Sequence, residues 1–261
     1  MTLLLILVLI FYTLSAPQFY APTYEQINIE YILQQDFYSD ADYETLYLQT
    51  GITKSLIDEI KNRPNYTEEM LSLQHHYFND IDVIETAMNA LTKWDQVFFD
   101  EEVVNAFELA PYQNGYIFLT KSTKTLGVRH GHAAIVVDAE NGLVLESLEP
   151  GTVTVLQNAD RWELYPTFIM LKPVGFSQEK LDEVAKYALE NFMDIPYFIF
   201  AIGENSKTTQ CSHIVWQIYK QFGIDIDDDG GPTVWPRDIA RSDNLEVLQV
   251  FGFDLQDDRL W

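Results

Sequence analysis

The sequence predicts an α+β fold in which one antiparallel sheet packs on helices, preceded by a helical extension. Three observations predict it. Short apolar runs of strand length follow one another between residues 112 and 171. Two stretches with helical spacing come late, at 178–191 and from 211 onward. Residues 22–110 read as mainly helical and acidic. Strands in sequence followed by helices are the pattern of an α+β domain, not of alternating βα units.

Taken in order, Leu3 to Leu14 is an almost unbroken apolar run followed by Ser15-Ala16-Pro17. It is shorter than the roughly 20 residues a membrane span needs, and it has the length of a signal-peptide core. No Lys or Arg precedes Lys54, so the usual basic start is missing. Residues 1–21 are therefore read as a signal peptide or N-terminal anchor, and the protein is expected to be secreted or associated with the cell envelope. Within the helical extension, 22–110, Thr53 with Leu56, Ile57 and Ile60 gives one short amphipathic helix, and Thr67-Glu68-Glu69 opens another. His75 and His76 are adjacent, so on a helix they diverge by about 100° and do not converge on one ligand. Residues 80–110 carry both periods: Ile81 and Val83 alternate, whereas Ala87, Leu91 and Trp94 suit a helix.

The third unit, 111–261, holds the strands. Gly115 to Thr120 and Ala133 to Asp138 are two of them, and Glu140-Asn141-Gly142 turns the second into Leu143 to Leu148. Thr152 to Leu156 and Pro166 to Leu171 follow. Leu181, Val184, Ala185, Ala188 and Leu189 form one face of a helix over 178–191. A second helix begins near Cys211, a short one follows Pro236, and a last strand runs near Leu245 to Phe251.

The formal charge is −24, from 40 acidic and 16 basic residues among 261, with 47% hydrophobic and 14% aromatic content. Such a chain can bury a core, and its surface repels nucleic acid and anionic membranes. One cysteine excludes an intramolecular disulfide and any multi-cysteine metal site.

That cysteine, Cys211, stands where polar residues give way to Ile214, Val215, Ile218 and Phe222 at helical spacing. A sulfur at a helix N-terminus feels the positive end of the dipole, which favours the nucleophilic thiolate. The same spacing also suits a buried, inert cysteine. Arg129-His130-Gly131-His132 immediately precedes the strand Ala133 to Asp138, so an imidazole stands at a sheet edge, where it can face a packed helix. Thiol and imidazole so placed, with a third group orienting the ring, make a cysteine hydrolase site. Glu146, close to opposite His132 across the hairpin, is one candidate for the third group, and Glu149 is the other, since the register is open. The alternative is a zinc site joining His130 and His132 to Cys211 and His213.

The run Leu126-Gly127-Val128-Arg129-His130-Gly131-His132-Ala133-Ala134-Ile135-Val136-Val137-Asp138, the Leu145-Glu146 strand and Gln210-Cys211-Ser212-His213-Ile214-Val215-Trp216 resemble the permuted papain-like amidases. These are the YaeF/YiiX and YycO group of the NlpC superfamily. The similarity covers roughly residues 112–253, and Leu48 to Ile52 resembles the helical lead-in of YycO-type members. Gly115-Tyr116 departs from an expected Gly-Asp. The resemblance implies a circularly permuted papain-like fold, with Cys211 as nucleophile, His132 as base, Glu146 as the orienting residue and His130 behind them. It implies an amidase or peptidase working through an acyl-enzyme on a peptide, or an acyltransferase or thioesterase on an acylated small molecule, as in related folds of the retinol-acyltransferase type. A binding module of the same fold, without activity, is the third reading.

Such chemistry requires no cofactor. Separately, Asp225, Asp227 and Asp229 with Gly230 occupy positions 1, 3, 5 and 6 of a calcium loop, but position 12 is Pro236. They are carried as a candidate calcium site outside the EF-hand pattern, against a solvated acidic turn.

Overall fold

Along Ile117 to Phe251, neighbouring apolar residues are buried in opposite directions, and the sheet they build separates two cores. Strands β4 (Ile117–Thr120), β7 (His132–Asp138), β8 (Leu143–Glu146) and β10 (Phe168–Pro173) show this plainly. Phe118, Ala134, Val136, Val144, Phe168 and Met170 join one buried cluster. Ile117, Leu119, Ala133, Ile135, Leu145, Ile169 and Leu171 join the other. That is the period of two of a β-strand, with both faces covered. With β9 (Val155–Asn158) and β11 (Leu245–Phe251), these strands form a six-stranded sheet in the order β11-β10-β4-β7-β8-β9, antiparallel throughout.

The computed structural model describes residues 19–100, 102–204, 207–256 and 261. The apolar run expected as a signal peptide or anchor lies outside the described residues. Among the described residues no helix is long and apolar enough to cross a membrane.

The N-terminal region supplies helices α1 (Glu30–Leu33), α2 (Asp40–Thr50), α3 (Lys54–Ile60) and α4 (Tyr66–Tyr77). Ser39 starts α2 through a capping box, with its hydroxyl accepting from Asp42 N and Asp42 Oδ2 accepting from Ser39 N at 2.8 Å. Gly51 ends it at φ 72°, where a Cβ would lie 2.0 Å from Val250 O, so only glycine fits against β11. The strand is then met by Thr53 N donating to Leu248 O at 3.0 Å and Val250 N donating to Gly51 O at 2.8 Å. Ile32, Leu46, Leu56, Ile57, Met70 and Leu73 pack in the same cluster as Phe118 and Phe168. The N-terminal region is thus one wall of the first core.

Residues 22–110 are not helical throughout. Beyond Tyr77 the chain forms β1 (Asp82–Ala87), β2 (Thr92–Phe99) and β3 (Glu102–Val103). With β5 (Thr123–Thr125) and β6 (Val128–Arg129) they make a second antiparallel sheet. Of the two periods this segment carries, the strand one holds, with Ala87 in β1 and Trp94 in β2, and Asn89 closes the β1–β2 turn by accepting from Leu91 N and Thr92 N at 2.7 and 2.8 Å.

The second core is covered by α5 (Gln178–Asn191) and α6 (Cys211–Gln221), through Val184, Ala185 and Ala188 of one and Ile214, Val215 and Ile218 of the other. The short α7 (Pro236–Ala240) begins on proline, whose fixed φ suits a first turn.

Candidate active site

Helix α6 begins on the cysteine itself. Gln210 is extended (φ −134°, ψ 176°), and its side-chain oxygen accepts from Ser212 N at 3.0 Å, capping the first turn. The same oxygen accepts from the Cys211 thiol at 3.3 Å. Gln210 Nε2 donates to Val234 O at 2.7 Å, so the cap is anchored to the segment before α7. Cys211 retains 4% of its surface. As the first residue of the helix its backbone N–H has no partner one turn back, and it is available to an external oxygen.

His132 opens β7, opposite Thr120. Gly131 sets its position: at φ +80°, with an added Cβ 2.5 Å from Thr120 O, the turn admits no side chain. Glu146 pairs with Ala134, two positions along from His132 and on the same face of the sheet. His132 Nε2 lies 2.8 Å from Glu146 Oε2, with both side chains buried. Glu146 Oε1 accepts from Trp162 Nε1 at 3.0 Å, and the Trp162 ring stacks on the imidazole, with centroids 5.4 Å apart and planes 15° from parallel. The carboxylate is therefore held at both oxygens, and the ring is fixed at its edge and its face.

Burial alone would push the His132 pKa down. Hydrogen bonds to the Cys211 side chain and to Glu146, with the charges of both, overcome burial and raise it to about 10. Nε2 is taken by Glu146, which leaves Nδ1 as the other nitrogen of the ring. A protonated imidazole between a carboxylate and a thiol is the arrangement that stabilises a thiolate.

The structure brings Cys211, His132 and Glu146 together, and it corrects one detail of their approach. Cys211 belongs to the core covered by α5 and α6, whereas His132 and Glu146 share the strand face of Ala134 and Val136 and lie against Trp162, in the other core. Thiol and imidazole thus belong to opposite faces of the sheet. Glu149, the competing carboxylate, accepts a hydrogen bond from Asn89 Nδ2.

Of the residues in the zinc alternative, His130 and His213 have both ring nitrogens engaged in hydrogen bonds. His130 Nδ1 donates to Gly131 O at 2.6 Å, and its Nε2 lies 2.9 Å from the Thr125 hydroxyl. Burial holds its pKa down at about 4, so it is neutral at pH 7. His213 bonds Gly203 O through Nε2 at 3.1 Å, while Nδ1 faces Thr209 and Gln217 at 3.1 and 2.9 Å.

The acidic loop is arranged differently from the spacing read in sequence. Asp225 turns to Lys220, with which it pairs, and to Trp216 Nε1 at 2.8 Å. It does not join Asp227 and Asp229, whose carboxylates converge instead with Asp238, all within 4.8 Å of one another. Burial, followed by the neighbouring Asp229 charge, raises the Asp227 pKa. Asp238 also caps α7, accepting from Trp235 N at 2.8 Å. Asp227, Asp229 and Asp238 are the oxygen donors, among the described residues, that could hold a cation together.

Three contributors escaped the sequence reading. Trp162 lies in a 3₁₀ turn (Ala159–Leu164), which has no periodic signature. Gln210 has a signal in hindsight, as a capping-capable residue just ahead of an apolar stripe. Tyr165 packs edge-on against Trp162 at 5.3 Å, and burial keeps its hydroxyl protonated.

No family model matches the sequence, and no curated protein matches it. Among solved structures the chain is similar to the metalloprotein YiiX from Escherichia coli O157:H7 (DUF1105), at 15% identity and a TM-score of 0.43. The match covers 53% of this chain and 97% of that one.

Proposed function

We propose that this protein is an exported cysteine hydrolase of the permuted papain-like type, cutting peptide amides, those of the cell wall among them, through Cys211, His132 and Glu146. The observation that carries the reading is the His132–Glu146 bond of 2.8 Å beneath the Trp162 ring, with the remaining imidazole nitrogen left to a thiol at a helix start. Inert core cysteines have no need of an oriented, protonated imidazole.

In the proposed reaction the Cys211 sulfur forms a bond to the amide carbon, and the carbonyl electrons move onto oxygen. The Cys211 N–H supplies part of the oxyanion hole. The C–N bond breaks as His132 hands its proton to the leaving amine. Water then attacks the thioester, giving its proton to His132, and the acid departs as sulfur is released. Glu146 accepts from Nε2–H and keeps the ring in place through both steps. No cofactor is needed, and calcium at Asp227, Asp229 and Asp238 would bear on stability.

One observation favours the acyltransferase or thioesterase variant as a second reading. Phe198, Phe200 and Ile202 stand exposed in the segment leading to Cys211, with Phe200 at 65%. Thioester substrates with long acyl chains, compared with peptide amides, separate the two.

Iodoacetamide labelling of the full chain tests the site itself. Cys211 is expected to react near neutral pH much faster than an ordinary thiol, and His132→Ala to slow it at least about tenfold. A rate unchanged by His132→Ala rejects the pairing and leaves the binding-module reading. Cys211→Ser should abolish hydrolysis while changing stability by no more than about 1 kcal/mol; surviving hydrolysis would mean a different nucleophile.

A further inference from the structure

A recess of about 210 Å³ is lined by Val128, Arg129, His130, Trp235, Arg237 and Trp261. Both of its walls are chain neighbours of the site. One wall ends at His130, and Gly131 and His132 follow. The other starts at Trp235, next to Val234, whose carbonyl holds Gln210 Nε2 at 2.7 Å and lies 2.8 Å from Ser212 Oγ, on either side of Cys211. Trp261 closes the recess over Gly131, its ring 2.8 Å from where a Cβ would be.

The lining is unusual for this chain. On a protein of net charge −24 the described side chains that line it include two arginines and no acidic one, although Asp238 of the acidic group stands behind Arg237. Two other cavities carry acids in their walls, Glu69 and Glu108 in one and Asp36 in the other. Arg129 is committed to the fold, with Nη1 bonded to Asp95 Oδ2 at 2.6 Å and Lys121 O at 2.9 Å. His130 is neutral and uses both ring nitrogens, so it is a wall without charge. Arg237 differs from both. Its Nε donates to Asp238 Oδ1 at 3.0 Å, its side chain is 52% exposed, and among the described residues its two Nη groups bond no partner. The Nη pair is the planar fork that takes a carboxylate through two parallel hydrogen bonds. Trp235 and Trp261 add apolar indole surface to the same lining, against which the rest of a bound group can pack.

From this we infer that the recess is a specificity subsite for a carboxylate on the substrate, gripped by Arg237 in a lining it shares with Trp235 and Trp261. Its volume is below the several hundred Å³ of a whole-ligand pocket, and it suits one side chain or chain end next to the bond being cut. The inference deepens the hydrolase reading, on which its role in catalysis rests, but carboxylate binding itself can be measured without turnover.

The test uses the full chain carrying Cys211→Ser, so that probes bind without being cut, and follows tryptophan fluorescence. The probes are acetyl-Ala-Glu-Ala-amide, its Gln counterpart, and the Gln peptide with a free C-terminal carboxylate. At least one carboxylate probe is expected to bind about tenfold more tightly than the neutral peptide, about 1.4 kcal/mol. Whichever of the two does so tells a side-chain carboxylate from a chain terminus. Arg237→Gln should abolish the difference. Should that variant fail to fold, Arg237→Lys keeps the charge but loses the fork, and must still lower the ratio by about threefold or more. Equal affinities for charged and neutral probes overturn the inference, as does a ratio untouched at Arg237. Slow iodoacetamide labelling in the unmutated chain would instead count against the hydrolase reading and leave this result standing.

Discussion

Replacing Glu146 by glutamine tests the core of the site with almost no change of shape. In the folded protein two donors, His132 Nε2–H and Trp162 Nε1–H, each meet one oxygen of the carboxylate, at 2.8 and 3.0 Å. Glutamine has one oxygen. Whichever donor keeps it, the other faces an NH₂ group in a buried site. An unpaired buried donor costs about 1–3 kcal/mol, and a neutral acceptor replaces a charged one for about 1 kcal/mol more. The expected loss is therefore about 2–4 kcal/mol near pH 6, read by urea unfolding, from a total that for most domains is about 5–15 kcal/mol. The pH dependence supplies a second check. His132 is raised in the folded protein to about 10, from an ordinary value of 6.5. Its contribution is complete below about pH 6.5 and is lost as the pH climbs towards 10. The gap between parent and Glu146→Gln should shrink over that interval. Adding Trp162→Phe removes the stranded donor but keeps a ring over the imidazole, so the double variant should lose less than the two single losses combined. A Glu146→Gln variant within about 0.5 kcal/mol of the parent, or a gap that widens with pH, would refute the assigned geometry.

Gly131→Ala should cost about 2 kcal/mol or more in thermal or urea unfolding and should slow Cys211 alkylation, because a left-handed backbone and a 2.5 Å approach to Thr120 O both oppose the new methyl; a neutral result would mean that the turn before His132 is slack. Calcium is expected to raise the melting temperature of the parent and not of Asp227→Asn, since Asp227 sits in the convergent acidic group and its carboxyl is raised by burial and by Asp229. By the sign of that shift, Asp227→Asn without calcium should itself stabilise the protein slightly above pH 5, and calorimetry with and without the ion reads both effects.

Much of this architecture was legible because its strands are buried on both faces. Ile117 to Thr120, Ala133 to Val137 and Phe168 to Leu171 stand out as short apolar runs, and Val184, Ala185 and Ala188 repeat at helical spacing. The second sheet was not legible, for a physical reason. Its strand β5 is Thr123-Lys124-Thr125, all buried, with Lys124 paired to Glu85 and, at 3.2 Å, to Asp95, while Asp95 also takes Arg129 at 2.6 Å. A strand that buries charges against charges looks like a loop to any hydrophobic pattern. In the site, Cys211 and His132 were marked by their positions at a helix start and a strand start. The choice between Glu146 and Glu149 needed the register, which pairs Glu146 with Ala134. Asp238 was invisible as a partner of Asp227 and Asp229 because a turn and a helix cap, not sequence spacing, bring it to them.

The proposed nucleophile and its proposed base are anchored in different halves of the molecule, with the sheet between them. Sulfur is carried by the layer of Ile214 and Ile218, and imidazole by the layer that holds Trp162, Phe107 and the N-terminal helices. Loosening either layer would part the two groups, and a thiol released in that way would lose its proposed partner. Nascent or damaged copies of the protein would thus be chemically quiet, and labelling of Cys211 would report whether both halves have closed on the sheet.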